Sequence, residues 1–531
     1  MHLSVIDVVV IVVYAVGIFG LAQYVARERE GHTKNGRDYF LASNNLPWWA
    51  IGTSLIAANI SAEQIVGMSG SGYAIGLAIA SYEWMAALTL LIVGKYFLPI
   101  FLKHSIYTMP QFLEHRFGAG IRNLMAVFWL ALYVFVNLTS ILWLGSIAVH
   151  KVAGVDQDIA LYALAGFALL YQLYGGLKAV ALTDVVQVTL LIAGGLIVSG
   201  LTLAQIGGTE GILGGFAILV ERAPDHFHMI LTPDNPHYKD LPGLSVLIGG
   251  MWIANLSYWG FNQYIIQRAL AAKNLGEAQK GILLASLLKL LMPLVIVVPG
   301  IAAVVLAPNL TRPDEAYPAM MGLLPPGLLG LVFAALMAAI VASSASKINS
   351  IATIFSLDLY AKALRTPSDQ EDLEIASEAR EKHLVTAGRI SAIVAVAIAA
   401  ATARPLLGNS DQAFQFIQEF TGFFTPGITV IFLAGLFWRR ATEAGAIAAA
   451  IASVSLSYWC KIAAPGIPFL DRMGIVFLAS LVLMVLVSLT IKPRAEEISI
   501  TSGVSFATPV SFNVMSVGII ATLIALYATW W

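Results

Sequence analysis

The sequence predicts an all-α polytopic membrane protein with about fourteen transmembrane helices and both termini outside, and three observations carry that prediction. Of 531 residues, 58% are hydrophobic and only 11% charged, whereas charged residues make up roughly a quarter of an ordinary soluble domain. Large soluble chains split into domains with polar skins, so a soluble core has no place for this much apolar surface. Apolar runs of membrane-spanning length recur along the chain, and Lys and Arg concentrate on alternate breaks between them. The net charge of −1 argues against nucleic acid as a partner, which calls for a basic surface. The single cysteine, Cys460, excludes an internal disulfide and any cluster of Cys ligands.

A helix needs ~20 mostly apolar residues to cross the hydrocarbon core. Such segments fall at 4–25, 46–74, 79–102, 122–150, 157–174, 181–206, 244–268, 278–308, 326–362, 387–403, 411–438, 441–464, 472–491 and 511–531, the tenth being short and Ala-rich. The first begins directly after Met1-His2-Leu3-Ser4, with no basic region and no cleavage signal, so it is expected to be an uncleaved span. With the N-terminus outside, inside loops receive 20 of the 30 Lys and Arg residues and outside loops 7. That asymmetry sets the orientation and checks the count, because one missed span would scramble the alternation. Of the three basic residues left, Lys95 can snorkel to a cytoplasmic interface, while Lys289 and Lys347 lie within spans. The outside loop 207–243 holds Asp225-His226-Phe227-His228 and His237, whose spacing closes no tetrahedral metal set. The acidic run from Asp369 to Glu378 reads as a solvated inside loop.

Polarity enters the membrane at two matched places. Segment 46–74 contains Ala57-Ala58-Asn59-Ile60-Ser61-Ala62-Glu63-Gln64, and segment 244–268 contains Ala254-Asn255-Leu256-Ser257-Tyr258-Trp259-Gly260-Phe261-Asn262-Gln263. Both carry Asn, Ser, Gln and Gly, which compete for or weaken the helical backbone. Irregular backbone within a bilayer is tolerated only in buried protein or beside a cavity. The two segments open two five-span blocks, 46–206 and 244–438, separated by the loop 207–243 and flanked by an extra span with its loop at 1–45 and three spans at 439–531. Five is odd, so the blocks enter the membrane with opposite orientation. Paired broken helices at matching positions of inverted halves point to a transporter's central site. Glu83, Lys289, Gln415 and Gln418 fall on nearby spans. An intramembrane charge costs ~3 kcal/mol and so is paired or functional; Glu83 and Lys289 either pair with each other or bond a neutral polyhydroxylated ligand. Tyr258 and Trp259 offer an aromatic face for a sugar ring, and Ser343, Ser344 and Ser346 offer oxygens to an ion.

At these residues the chain resembles the solute:sodium symporter family, most closely its bacterial sodium/galactose (glucose) members. The resemblance runs nearly full length. It is strongest at Leu46-Pro47-Trp48-Trp49, Ala57 through Gly72, Ser81-Tyr82-Glu83-Trp84, Tyr174 through Val180 with Thr183-Asp184 and Gln187, Asn255 through Arg268, and Phe414 through Gly427. It implies a LeuT-like five-plus-five inverted repeat. It assigns sugar contacts to Gln64, Glu83, Asn255, Lys289 and Gln418, with Asn59 and Ser61 nearby. Tyr258 becomes an inner gate braced by Asn59, and Met68, Tyr82 and Phe414 an outer cover. Backbone carbonyls of Ala57, Ile60 and Ala339, with Ser343, would hold sodium, and Asp184 would stand on its inward exit. Three departures stand out: Ala342 replaces the first of a Ser-Ser pair and removes one hydroxyl, Ala86 replaces a sugar-contacting Ser, and Ser257 replaces a Tyr beside the gate. Lys347 stands where the family has an apolar residue.

The expected function is therefore sodium-coupled sugar symport by alternating access in a cell membrane, bacterial inner membrane by the resemblance, with sodium as co-substrate and no organic cofactor. The alternatives are a sodium- or proton-coupled symporter of an amino acid, sialic acid or other carboxylate, a channel, or a membrane enzyme. HExxH, GxSxG and GK[ST] motifs are missing from the sequence, which weighs against the last.

Overall fold

The computed structural model describes residues 3–26, 46–106, 108–174, 177–361, 373–410, 412–491 and 500–531; at 19, 22–26, 173–174, 177–184 and 373–382 it describes the backbone alone. Helix falls within each of the fourteen segments: α1 Val5–Ala26, α2 Trp48–Asn59, α3 Glu63–Met68 continuing as Ser69–Ala74, α4 Leu77–Lys103, α5 Ala119–Ala153, α6 Gln157–Tyr174, α7 Leu177–Gly207, α8 Gly250–Phe261, α9 Gln263–Leu270, α10 Leu275–Leu306, α11 Leu328–Tyr360, α12 Leu373–Leu407, α13 Ala413–Thr421, α14 Thr425–Phe437, α15 Glu443–Ala463, α16 Phe469–Thr490 and α17 Val510–Thr529. Among the described residues nine helices are long and apolar enough to cross a membrane, or ten with α13 and α14 counted as one span bent by 45°.

The polar strings break their helices, each in its own way. After α2 the backbone of Ile60 is extended, with φ −69° and ψ 110°. Ser61 then starts α3 through a capping box. Its Oγ accepts from the Glu63 N–H at 3.2 Å, while the Gln64 Oε1 accepts from the Ser61 N–H at 3.3 Å. Side chains thus replace the backbone bonds that the break removes, and the last carbonyls of α2 are left without helical partners. In the second segment Asn255 stays inside α8, and the extended residue is Asn262, with φ −85° and ψ 123°. The two Ala-Asn-x-Ser strings therefore do not mark the same point of their breaks. Sequence shows that a helix is weakened, but packing selects the bond that gives way: the Asn262 Oδ1 accepts from the Tyr133 hydroxyl at 2.7 Å.

Small residues bring the first broken helix against α10. A Cβ at Gly52 would stand 2.8 Å from the Gly281 carbonyl, and one at Gly300 would stand 2.1 Å from that of Ser69, the close backbone approach that membrane helices use to gain packing. At the N-terminus, the Asp7 Oδ1 accepts from Gly327 and Gly330, both at 2.7 Å, and so anchors α1 to the start of α11, where helical N–H groups favour an anion. The apolar stretch of α11 is largely buried inside the protein, and that of α17 mostly faces outward. Val510, Val514, Val517 and Ile524 of α17 are exposed, as a lipid-facing surface requires.

The loops gather at two opposite ends of the helices. At one end the His226 Nε2 meets the Tyr73 carbonyl, Met229 bonds Trp530, the Tyr73 hydroxyl bonds Pro308, and Lys151 pairs with Glu315. At the other end Leu46 bridges to Ala272, Trp48 bonds Glu277, Lys103 bonds Ser502, and Arg116 donates to carbonyls from Gly435 to Ala441. Every contact named here joins loops that the basic-residue alternation assigns to one side.

Candidate functional site

A cavity lies where the two broken helices meet. The α2–α3 break contributes Asn59, Glu63, Gln64 and Met68; α4 contributes Tyr82, Glu83 and Ala86; α5 contributes Trp129, Leu132 and Asn137; α8 contributes Ala254, Asn255 and Ser257 to Trp259. Lys289 enters from α10, Phe414, Ile417, Gln418 and Thr421 from α13, and Phe469, Leu470 and Met473 from α16.

Two of the charges inside, Glu83 and Lys289, satisfy each other. The Lys289 Nζ lies 2.6 Å from the Glu83 Oε2, with both side chains almost wholly buried. It also donates to the Asn59 Oδ1 and stands 4.9 Å from the centre of the Trp259 ring. Of the two arrangements open to Glu83 and Lys289, this structure has the direct pair. Asn59 in turn donates through Nδ2 to the Tyr258 hydroxyl at 3.2 Å, and the Tyr264 hydroxyl donates to it at 2.9 Å. Tyr258, Tyr264 and Tyr133 pack edge to face, with Tyr264 5.6 Å from Tyr133. On the opposite side Met68, Tyr82 and Phe414 are buried, and the Tyr82 and Phe414 rings meet at 5.1 Å and 89°. Gly67 allows this approach, since a Cβ there would come within 3.2 Å of Phe414 Cβ.

Of the residues assigned to sugar, Gln64, Glu83, Asn255, Lys289, Gln418, Asn59, Tyr258 and Trp259 all line the cavity. Ser61 does not. Its Oγ donates to the Gln64 Oε1 at 3.0 Å, which fixes the Gln64 amide and leaves its NH₂ end for the cavity. Asn255 is oriented by its Nδ2 bond to the Met251 carbonyl at 3.1 Å, which frees the Oδ1. Glu63 is a lining residue that the sequence reading named but gave no role. It is buried and accepts a hydrogen bond from the Ser140 hydroxyl of α5. The rule that an intramembrane carboxylate has a partner or a task would have singled it out, as it did Glu83. Asn262, named in the second polar string without a role, also lines the cavity; Asn137 was missed, and an amide within an apolar segment was the available signal.

The residues assigned to sodium lie on α2, at the break that follows it and on α11, which packs against α2, and Ala57, Ile60, Ala339 and Ser343 are all buried. The Ser343 Oγ donates to the Ile340 carbonyl at 3.1 Å, and the buried Ser344 Oγ has no hydrogen-bond partner among the described residues. The side chain of Asp184 lies outside the described residues. Among the described residues no group of three or more His, Cys, Asp or Glu could hold a metal ion; in loop 207–243 His237 pairs with Asp240.

The cavity thus presents donors at Lys289 and Gln64, acceptors at Glu83 and Asn255, and aromatic faces at Tyr258 and Trp259. Such a set suits a neutral ligand rich in hydroxyls, and two carboxylates against one ammonium disfavour an anionic one.

The sodium:solute symporter family model matches residues 39–453. Over its full length the chain is 48% identical to the sodium/glucose cotransporter of Vibrio parahaemolyticus, covering 99% of that protein. It is 33% identical to sodium/myo-inositol cotransporter 2 of Bos taurus across 83% of this chain and 67% of that one. Among solved structures, an outward-open, substrate-bound Na⁺-coupled sialic acid symporter superposes with a TM-score of 0.77 at 19% identity, covering 93% of this chain and all of the other; this likeness bears on the fold alone.

Proposed function

The chain belongs to the sodium:solute symporter family, and we propose that it carries a galactose- or glucose-like sugar into the cell with sodium by alternating access. The observation that carries this reading is the cavity at the meeting of the two broken helices, where a closed Glu83–Lys289 pair, Gln64 and Asn255 face one space with Tyr258 and Trp259. In this reading Gln64, Glu83, Asn255, Lys289 and Gln418 bond the sugar, while Asn59 and Ser61 hold their neighbours in place. Tyr258 is the inner gate, and Met68, Tyr82 and Phe414 form the outer cover. Sodium is co-substrate at the carbonyls of Ala57, Ile60 and Ala339 with the Ser343 hydroxyl, and Asp184 stands on its exit. The blocks 46–206 and 244–438 are the inverted repeats that rock against each other, and fourteen crossings leave both termini outside. The sorting of loop contacts into two ends, together with the excess of basic residues on one set of loops, supports that topology.

Sodium drives the cycle because the ion and the sugar bind beside the same break, so filling one site orders the other. A tenfold sodium gradient supplies about 1.4 kcal/mol and a potential of about 100 mV about 2.3 kcal/mol per charge, together enough for roughly 500-fold accumulation of a neutral sugar at one ion each. The test is equilibrium binding of radiolabelled galactose and glucose to the purified protein in sodium and in potassium. Saturable binding that strengthens in sodium is expected. Binding of acidic solutes in place of sugars would overturn the substrate assignment and leave the family standing.

A further inference from the structure

Lys347 is not among the residues that line the cavity. It lies four residues beyond Ser343 and eight beyond Ala339, so the three share one face of α11, and helical side chains lean toward the N-terminus, which tips Lys347 back toward Ser343. Lys347 is 1% exposed, and its Nζ stands 4.6 Å from the centre of the Tyr264 ring on α9. The charges that act on it are Glu63 at the α2–α3 break, which attracts it, and Arg268 on α9, which repels it. Arg268 is held by the Ser54 and Ser346 hydroxyls and the Tyr264 carbonyl. Among the described residues Lys347 forms no ion pair within 4 Å. An ammonium buried in this way is costly, and it lies on the same helical face as Ala339 and Ser343, the two α11 residues assigned to sodium, beside the second of which Ala342 has removed a hydroxyl.

We propose that Lys347 is a resident cation that sets the ion dependence of this chain, weakening sodium at the site of Ala57, Ile60, Ala339 and Ser343 while Glu63 and Tyr264 hold the ammonium. The inference rests on the sodium site proposed above. An ion entering that site meets a fixed like charge between one and two turns away along α11, in a setting already short of one oxygen. A unit charge about 10 Å away at an effective dielectric near 20 changes cation affinity on the order of tenfold. Lysine therefore raises the sodium concentration at which the transporter fills, without altering the accumulation that a given gradient permits.

The test compares wild type with Lys347→Met, Lys347→Gln and Lys347→Arg as full-length protein in proteoliposomes. Two quantities are read: the half-saturating sodium concentration for galactose uptake, and that for the sodium-induced change in tryptophan fluorescence, which needs no transport. The two neutral variants should lower both on the order of tenfold, and Arg should leave them near wild type. Neutral variants matching a sodium-dependent wild type would overturn the role of Lys347, as would an equal shift in all three variants, which would mark a packing effect. Sodium without effect on uptake or fluorescence in every form would instead overturn the sodium site and this inference with it.

Discussion

Separating Glu83 from Lys289 should destabilise the protein more than removing both charges. At 2.6 Å between Nζ and Oε2, an effective dielectric of 20 gives an attraction of about 6 kcal/mol. Desolvating the two ions costs several kcal/mol each, so the pair comes out near neutral against an apolar isostere. A single substitution removes the attraction and keeps one desolvation cost, an expected loss of about 3–5 kcal/mol. Glu83→Gln should sit at the low end, because the ammonium keeps the Asn59 Oδ1 and the Trp259 face. Lys289→Met should sit at the high end, because it strands the carboxylate. The double variant Glu83→Gln/Lys289→Met should recover most of the loss, yet bind sugar no better than either single variant. Denaturant titration in detergent reads this out through labelling of Cys460, the only cysteine, which is buried in the fold. The reasoning is refuted if Lys289→Met is as stable as wild type, or if the double variant is no more stable than the weaker single one.

Other expectations follow from the same geometry. Gln64→Ala should weaken galactose binding by roughly 1–3 kcal/mol through an unpaired polar contact, while the sodium-induced fluorescence change stays normal; equal loss of both would count against the assignment of Gln64 to sugar. Ala342→Ser restores a hydroxyl to the proposed ion site, and the half-saturating sodium concentration should fall several-fold; an unchanged sodium dependence would show that position 342 does not reach the ion. In loop 207–243, burial holds the His226 imidazole below its ordinary 6.5, opposed by the nearby Tyr73 carbonyl. A depressed histidine value means that the unfolded loop binds the proton more readily, so docking is complete above about pH 6.5 and is lost as pH falls below it. Proteolysis of 224–243 should accelerate on acidification, with His226→Gln flattening the profile; a pH-independent rate in wild type would contradict this.

The helices were legible because membrane thickness dictates their length and composition advertises it. The cavity was legible because charge and amide groups are so costly in a bilayer that Gln64, Glu83, Asn255 and Lys289 had to be explained. Three features were hidden, each for a physical reason. The second break falls at Asn262, within the polar string 254–263 but beyond Asn255 and Ser257, and Tyr133 of a distant helix supplies the bond that holds it. Ser61, which the resemblance sets near the sugar, caps a helix, since its hydroxyl is taken by the Glu63 N–H and the Gln64 amide. Glu63 and Asn137 enter the cavity from elements 74 residues apart in sequence, and only tertiary packing brings α5 to the break. The Ser343 hydroxyl returns to its own helix at Ile340, the ordinary behaviour of serine in a membrane span.

The most direct test of the central claim is uptake of radiolabelled galactose and glucose into proteoliposomes under an imposed inward sodium gradient, with potassium and a proton gradient as controls. The account predicts accumulation above equilibrium with sodium alone, abolished when the gradient is collapsed. Accumulation that follows only the proton gradient, or no sugar uptake under any gradient, would contradict it.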